Sequence, residues 1–268
     1  MKNWKNLVAL LLVVVMCTGL FIACGKKPAA QEAFTLTLGF DAGFPPYGYK
    51  DGDDYVGFDI DLAKEVCKRQ GWTLELRPID WNAKDMELTS GAIDCIWNGF
   101  TINGRENLYT WTVPYVDNSQ VVMVSTASGI TSLSDLAGKV VAVQDDSSAH
   151  HALTDPEGDE ELIALKDSFS ELRLAPDYTV AFMDLQSGMV DAVALDVGVA
   201  KFQLENRSGE FIILDDILVK EQYGVGFLLG NTELKDKVEA SLMDMSKDGS
   251  FLKIAEQWDL QDSVVLGK

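Results

Sequence analysis

Short apolar segments with a two-residue repeat alternate with segments of helical periodicity along most of this chain, and this alternation constrains the fold more than any other feature. In one helical segment Phe58, Leu62 and Val66 recur on one face, and Gly71 follows as a stop signal. Strands are predicted over 34–40, 74–79, 92–97, 121–124, 138–143, 190–195 and 211–214. Further helices are predicted over 85–90, 132–136 and 233–257. Strands that alternate with helices indicate an α/β architecture with mainly parallel sheets.

Two parts of the chain have weaker patterns. The segment 177–185 fits a strand followed by the start of a helix, and the acid-rich segment 151–177 fits an exposed loop with a helix start. A second structural unit is predicted to begin after the strand 121–124. About 235 residues follow the N-terminal region, which is enough for one large or two modest domains.

The first 33 residues have the composition of an export signal followed by a tether. Lys2 and Lys5 precede an unbroken apolar run over 7–16. This run is short for a membrane span, which needs about 20 apolar residues. We therefore predict that residues 1–23 are a signal peptide and that residues 24–33 form a flexible tether.

The end of the predicted signal, from Leu20 to Cys24, resembles a bacterial lipobox, in which a Cys after a small residue is acylated and becomes the new N-terminus. Phe21 departs from the Leu that is usual at that place. We predict a lipoprotein anchored through acylated Cys24 to the outer face of the cell membrane, or located in the periplasm. The alternative is an ordinary secretory signal in which Cys24 is an incidental thiol.

The charge balance excludes several kinds of partner. The formal net charge is −20, and it becomes −22 once residues 1–23, with two lysines and no acid, are removed. Such an acidic chain is not expected to bind nucleic acid, because phosphates repel it. It is not expected to adsorb to anionic lipid through its own charge either, so acyl chains would have to hold it at the membrane.

Cysteine and histidine give no sign of a catalytic or metal centre. Cys67 on a helix face and Cys95 in an apolar strand fit as free, buried thiols better than as one disulfide. His150 and His151 are adjacent at a predicted helix start, have no partner evident from spacing, and are expected to be solvated. The sequence contains no HExxH, CxxC or GxSxG motif and no phosphate-binding glycine loop, so we predict no metal, no cofactor and no enzymatic activity.

Six short motifs occur in a characteristic order along the chain. They are DAGFPPY at 41–47, GFDIDLA at 57–63, SGAID at 90–94, TINGR at 101–105, PY at 114–115 and DAV at 191–193. In this order and at these intervals the chain resembles the polar amino-acid solute-binding proteins of ABC importers. The resemblance runs from about Phe34 to Trp258.

The resemblance implies a two-lobed α/β fold with two hinge crossings and an amino acid enclosed between the lobes. Mapped onto this chain, lobe one is 34–123 plus 225–268 and lobe two is 124–224. The partners implied are a small polar amino acid and the permease and ATPase subunits of an importer, and the binding protein is expected to be a monomer.

Family positions that hold the two charged ends of the ligand map onto specific residues. Arg105 resembles the arginine that grips the α-carboxylate, although its loop is one residue shorter than usual, and the alternative is a surface charge. Asp196, at the end of an apolar strand, resembles the acid that receives the α-ammonium, and the alternative is a helix N-cap. Gly99 and Thr101 match positions that touch the α-ammonium and the α-carboxylate of the ligand. The alternative for Thr101 is a hydroxyl that caps a loop.

Other matching positions would form a turn for the carboxylate and a wall for the side chain. Ser147 and Ser148 resemble the turn whose backbone N–H groups bind the carboxylate, with helix capping as the alternative and Asp146 in place of the usual Gly. The predicted wall and side-chain contacts are Asp41, Phe44, Tyr47, Trp81 and Trp97, of which Trp97 is equally a core residue. An inward-facing Asp41 would repel an acidic side chain, so the ligand is predicted to be a neutral or cationic polar amino acid.

Two other functions fit the same fold. A ligand-sensing module that serves a membrane receptor would bind in the same way and differ only in its partner. A dehydratase-like enzyme would need an acid or base aimed at a reacting group in the cleft, and the sequence offers no evident one.

Overall fold

Two five-stranded sheets with helices against them form the frame of the protein in the computed structural model, which describes residues 34–207 and 209–267. The predicted signal peptide, Cys24 and the tether lie outside the described residues. The strands are β1 (Thr35–Phe40), β2 (Gly43–Phe44), β3 (Gly48–Asp51), β4 (Asp54–Val56), β5 (Thr73–Pro78), β6 (Cys95–Ile96), β7 (Thr110–Trp111), β8 (Val116–Ser125), β9 (Val140–Gln144), β10 (Glu171–Ala175), β11 (Ala192–Asp196), β12 (Phe211–Tyr223) and β13 (Gly226–Phe227). The α-helices are α1 (Phe58–Gln70), α2 (Lys84–Thr89), α3 (Ser148–Thr154), α4 (Glu160–Ser168), α5 (Tyr178–Ser187), α6 (Val197–Asn206), α7 (Thr232–Asp248) and α8 (Ser250–Gln257).

Each large sheet is the centre of one lobe. The first sheet has the order β5-β1-β6-β13-β7, and the second has the order β10-β9-β11-β8-β12. A small sheet, β2-β3-β4, accompanies the first lobe. The alternation of strands and helices predicted from the sequence is therefore confirmed, and the two-lobed α/β class with it.

The prediction of mainly parallel sheets is wrong. In the first sheet β1 runs parallel to β5 and β6, but β13 runs antiparallel to β6 and β7. In the second sheet β9 runs parallel to β10 and β11, but β8 runs antiparallel to β11 and β12. The antiparallel pairs arise because β8 leads the chain into the second sheet and β12 leads it back, so these two long strands run in opposite directions.

Apolar periodicity determines which faces the elements bury. Phe58, Leu62 and Val66 of α1 are fully buried, and Gly71 ends the helix as predicted. Successive residues of β8 face opposite cores: Val121 and Met123 pack into the larger one, and the alternate valines Val122 and Val124 pack into a second one.

Several predicted elements differ from the observed ones. The helical region predicted over 233–257 is two helices, because the chain turns at Gly249 with φ 81°. Residues 151–177, expected to be mostly loop, contain α4 and β10. The strand predicted within 177–185 does not occur there; the strand of this region is β10, which ends before residue 177. Asp177 is instead the N-cap of α5 and accepts a hydrogen bond from the backbone N–H of Val180.

The strands that connect the lobes are longer than predicted. β8 begins at Val116 rather than at 121, and β12 continues to Tyr223 rather than ending at 214. The predicted lobe boundary between 123 and 124 falls inside β8, and the assignment of lobe boundaries stays a prediction.

Both cysteines of the folded part are free and buried, as predicted. Burial raises the pKa of the Cys67 thiol to about 11, and it also raises the pKa of the Cys95 thiol well above its usual value. The two thiols are therefore protonated and unreactive at neutral pH.

Candidate functional site

A cavity of about 310 Å³ lies between the two sheets, at the carboxyl ends of several strands. Asp41 follows β1, Gln144 ends β9 and Asp196 ends β11, so the topology brings distant parts of the sequence to one place. The lining residues are Asp41, Phe44, Trp81, Asn98, Gly99, Thr101, Arg105, Gln144, Ser147, Ser148 and Asp196.

Most residues that the sequence nominated for a site meet in this cavity, but Tyr47 and Trp97 do not line it. Tyr47 is 1% exposed, and its ring packs between those of Phe44 and Tyr223, at centroid distances of 5.6 and 5.2 Å. Trp97 is fully buried in the same core. Both aromatic residues stand behind the cavity wall and support it.

The guanidinium group of Arg105 forms one side of the cavity. The residue is 8% exposed, which excludes the surface-charge interpretation. Nη1 donates to the carbonyl oxygen of Thr101 at 3.4 Å, and Nη2 donates to that of Asp146 at 3.1 Å. Over residues 34–207 and 209–267 it forms no ion pair with an acid, so its positive charge is available to an anionic group.

Asp41 lies in the same cavity with its carboxylate held on both oxygens. Oδ1 accepts the backbone N–H of Gly43 at 2.7 Å, and Oδ2 accepts the amide Nε2 of Gln144 at 2.6 Å. Burial raises the pKa of this carboxyl, and the nearby acids Asp177 and Asp80 add to the effect. None of these partners carries a positive charge.

Asn98 and Gln144 line the cavity although the sequence did not nominate them. Asn98 accepts the backbone N–H of Asp41 at 2.9 Å, and within the described part of the chain its amide nitrogen has no partner. Each follows or ends a strand, and that position was the available signal. Polar residues at the carboxyl ends of neighbouring strands point to one edge of a sheet.

Asp196 is 4% exposed and does not cap α6 with its side chain, so the N-cap alternative is wrong. Its Oδ1 accepts Nδ2 of Asn118 at 2.9 Å, Nε2 of Gln120 at 2.8 Å and the hydroxyl of Tyr223. Burial raises its pKa to about 8, and the charge of Glu221 raises it as well.

Glu221 on β12 is a second buried acid beside Asp196, and it was not among the residues predicted for the site. It is 4% exposed and accepts from the same two amides, Asn118 Nδ2 at 2.6 Å and Gln120 Nε2 at 2.7 Å. Its other oxygen accepts the hydroxyl of Ser148. Two carboxylates thus share neutral donors with no cation between them in the described ranges.

The turn 144–148 combines helix capping with the cavity wall. Ser147 accepts the backbone N–H of His150 at 3.1 Å and is the N-cap of α3, so the capping interpretation holds for its hydroxyl, while the residue also lines the cavity. Asp146 has φ 57°, the left-handed conformation in which asparagine and aspartate are enriched among non-glycine residues. Its carboxylate turns away from the cavity.

This turn holds the two lobes together across the cavity. The indole Nε1 of Trp81 and the guanidinium of Arg105 both donate to the carbonyl oxygen of Asp146, at 3.2 and 3.1 Å. The Asp146 carboxylate forms an ion pair with Lys84, which is 1% exposed. Asn82 adds a hydrogen bond of 2.8 Å to the Asp145 carboxylate. The cavity is therefore enclosed by direct contacts between the lobes.

Both histidines have partners that the spacing did not reveal, while His151 is exposed, as predicted, and His150 is half-buried. Nε2 of His151 lies 2.6 Å from Oδ1 of Asp146, and Nδ1 of His150 lies 3.4 Å from Oδ1 of Asp145. The backbone N–H of Asp146 also donates to His150 Nδ1 at 3.1 Å. The histidines therefore support the turn.

Gly99 is placed by a buried acid from α1. Its N–H donates to Oδ2 of Asp59 at 2.6 Å, while Oδ1 of Asp59 accepts the hydroxyl of Tyr115 at 2.9 Å. Only glycine fits there, because φ is 55° and an added Cβ would lie 2.7 Å from the Phe44 ring. Burial raises the pKa of Asp59 to about 7.

Chemically, the cavity offers one strong cationic donor and an excess of acids. Arg105 can bind a carboxylate, Asp196 and Asp41 can each bind a positively charged nitrogen, and Phe44 and Trp81 supply apolar walls. Among the helices that the structure describes, none combines the length and hydropathy needed to cross a membrane.

Comparison with known families gives a match over nearly all of the described chain. The family described as bacterial extracellular solute-binding proteins, family 3, matches residues 36–261. The match includes both sheets and every residue that lines the cavity.

Individual relatives are similar over almost their full length. The arginine-binding extracellular protein ArtP of Bacillus subtilis is 28% identical, over 96% of this chain and 98% of the relative. The L-cystine-binding protein TcyJ of Escherichia coli is 26% identical, over 94% and 93%. A substrate-binding protein of an ABC uptake transporter from Streptococcus pneumoniae, solved with bound histidine, superimposes with a TM-score of 0.81 at 31% identity, over 86% and 94%.

Proposed function

Because this chain belongs to the bacterial extracellular solute-binding proteins of family 3, we propose that it captures a cationic L-amino acid for an ABC importer. The observation that carries the choice of a cationic ligand is the charge balance of the cleft. Asp41 and Asp196 line the cavity and Glu221 is buried beside Asp196, whereas Arg105 is the one cation among the described residues that line the cavity. A zwitterion has no net charge, so a ligand with a cationic side chain balances the site better than a neutral one.

The proposed binding mode uses opposite sides of the cavity. Arg105 takes the α-carboxylate as a two-pronged donor, replacing its bonds to carbonyl oxygens. Asp196 takes the α-ammonium. The ligand's side chain runs between Phe44 and Trp81, and its cationic end meets Asp41. The N–H of Ser148 at the start of α3 and the hydroxyl of Thr101 complete the carboxylate site.

Two of the three relatives named above support the same ligand class, whereas TcyJ is described as binding L-cystine, which has no net charge. ArtP is described as arginine-binding, and the streptococcal structure contains histidine. Both ligands have a nitrogen-rich side chain, which suits an acid at the position of Asp41. We propose no catalytic step, since the two histidines are engaged with Asp145 and Asp146.

The proposal extends to the place of action and the partners. Residues 1–23 direct export, Cys24 is lipidated, and 24–33 tether the binding domain to the outer face of the membrane. The monomeric domain delivers its ligand to a permease driven by an ATPase. Lobes 34–123 plus 225–268 and 124–224 close on the ligand by bending at the two connecting strands.

The test is titration calorimetry with a panel of amino acids. We expect arginine, lysine or histidine to bind, glutamine to bind more weakly, and glutamate to show no binding. Arg105→Ala is expected to weaken binding at least about a hundredfold, because a charged hydrogen-bonding pair is lost. The matched control is Arg173→Ala, since that arginine pairs with Glu171 away from the cavity. Silence for every amino acid, or unchanged binding by Arg105→Ala, contradicts the proposal.

A further inference from the structure

Asp196 and Glu221 form a cluster that contains acceptors and lacks a cation. Both carboxylates lie within hydrogen-bonding distance of the same two amide nitrogens, those of Asn118 and Gln120. The side-chain nitrogens of Asn118 and Gln120 each donate to both carboxylates. Within the described chain their side-chain oxygens, Asn118 Oδ1 and Gln120 Oε1, are buried and have no hydrogen-bond partner. Asn118 is 5% exposed and Gln120 is fully buried.

Buried acceptors without donors are costly, and two adjacent buried carboxylates that are held only by neutral donors are costly as well. A group that brings several N–H donors and a positive charge would satisfy the two carboxylates, whereas water would supply donors without charge. An ammonium group has three N–H donors. The two carboxylates are the part of the cluster that such a group can reach: Asp196 lines the central cavity, and Glu221 lines the adjoining cleft with Arg105 and Ser148.

Resting on the cationic amino-acid function proposed above, we propose that Glu221 is a second anionic residue of the ammonium subsite and that the ligand's α-ammonium displaces a proton shared by Glu221 and Asp196. The two carboxyl groups hold that proton when the subsite is empty, because two adjacent buried negative charges repel each other. The ammonium replaces it as the positive charge, and the proton leaves to solvent.

The other groups that face the pair do not supply the proton or the charge. The hydroxyls of Tyr223 and Tyr178 reach Asp196 from β12 and α5, and that of Ser148 reaches Glu221 from α3. Tyr47 lies close by in the first lobe, and Arg105 lies across the cavity. Burial raises the pKa of the three tyrosines well above 10, so they stay neutral near pH 7.

The direction of the pH effect follows from this exchange. Since binding releases a proton, affinity rises with pH, by at most tenfold per pH unit for one whole proton. The pKa of Asp196, raised to about 8 by burial and by the charge of Glu221, sets the window. The rise is expected between pH 6 and about 8 and levels off above it.

The experiment is calorimetry of L-arginine binding at pH 7 in two buffers that differ in ionisation enthalpy, phosphate and Tris, followed by affinities from pH 6 to 8.5. The wild-type protein is expected to release a large fraction of one proton per arginine. Glu221→Gln is expected to release less, to show a flatter pH profile and to bind about tenfold more weakly at pH 8.5, because the variant has lost one of the two acids of the ammonium subsite. Glu210→Gln, on the exposed residue before β12, is the matched control.

Three outcomes separate the inference from the proposed function. Arginine binding without any buffer dependence in the wild-type protein overturns the inference and leaves the function standing, and this result does not depend on the folding of a variant. A folded Glu221→Gln protein with the wild-type proton count and pH profile also overturns it. Failure of the wild-type protein to bind any cationic amino acid overturns the proposed function, and the inference with it.

Discussion

Asp41 is the residue at which charge alone would separate cationic ligands from neutral ones. Its carboxylate is buried, and it is held by a backbone N–H and by the amide of Gln144 rather than by a cation. An incoming side-chain cation therefore meets a full negative charge in a site with little water. A neutral amide side chain gains only an ordinary hydrogen bond there.

We predict that Asp41→Asn weakens arginine binding about tenfold or more while changing glutamine binding by less than about threefold, since hydrogen bonds to charged groups are worth about 1.5–3 kcal/mol and neutral ones about half of that. Competition calorimetry with both ligands measures the ratio. Asp244→Asn is the control, because Asp244 is an exposed acid of α7 that pairs with Lys247 and does not line the cavity. An equal loss for both ligands would show that Asp41 acts on the shape of the site and not on its charge.

Single residues at strand ends were predictable, and Glu221 was not. Asp41, Arg105 and Asp196 stand next to apolar strands in motifs of known order, so sequence pattern and resemblance together pointed to them. Glu221 lies in the second half of β12, where the pairing with β8 shifts register between Ile213 and Ile217 and again before Val219. These irregularities break the two-residue alternation, so the sequence did not reveal that the strand continues or which side Glu221 faces.

Among the elements, the turn 144–148 contributes most to the closure of the cavity. Its carbonyl oxygen at residue 146 receives two donors from the first lobe, and its carboxylate neutralises Lys84. An acid at 146 that pointed into the cavity would repel a carboxylate ligand, but the side chain turns toward Lys84 and His151.

We expect Asp146→Asn to lower the free energy of unfolding by about 1–3 kcal/mol, because it removes the near partner of the buried Lys84 and leaves only the exposed Asp85, at 3.9 Å. Asparagine tolerates the left-handed backbone, so the carbonyl contacts are kept. Urea denaturation provides the measurement. The control is Asp145→Asn, which removes a charge from the same turn but contacts Asn82 and His150 rather than a buried lysine, and is expected to cost less than about 1 kcal/mol. Equal losses in the two variants would exclude a special role for the pair with Lys84.

The helices and strands that were predicted well are those with a regular apolar face. α1 has such a face. β10, in the acid-rich segment, buries only Ala175 fully, so neither of its faces is regularly apolar and buried. β6 shrinks to two residues, because the chain on either side of Cys95–Ile96 leaves the ladder. Periodicity reports burial, and it fails where an element is short or lies at the edge of a sheet.

At the scale of the whole molecule, buried acids make stability depend on pH in an unusual direction. Burial raises the pKa of Asp59 to about 7 and that of Asp196 to about 8, from 3.8. In the folded protein these groups keep their protons up to pH 7–8, and in the unfolded chain they lose them near pH 4. Unfolding therefore releases protons between these values, and stability is lost as pH rises through this window.

We predict that the melting temperature of the ligand-free protein falls between pH 5 and pH 8. Asp59→Asn, which replaces one of the two acids by a neutral group of the same shape, is expected to flatten the fall between pH 5 and 7. Scanning calorimetry at constant ionic strength gives both slopes. A constant or rising melting temperature over this range in the wild-type protein would contradict the prediction.

The α/β class of the whole molecule follows from the alternation of strands and helices, and the division into two lobes followed from the resemblance. The enclosed cavity could not be derived from periodicity, because it depends on contacts between residues far apart in sequence, such as Trp81 with Asp146. The mixed direction of the sheets also depends on how two long strands pass between the lobes, and local patterns do not record that.

The two donors that reach residue 146 bond to a main-chain oxygen, which every amino acid carries. The side chain at this position can therefore change in the course of evolution without loss of those two bonds, provided that the backbone keeps a φ near 57°. Glycine and asparagine meet that condition easily, whereas a β-branched residue does not. Substitutions at 146 would thus adjust how firmly the lobes hold together, in steps set by one side chain, while the geometry of the contact is inherited unchanged.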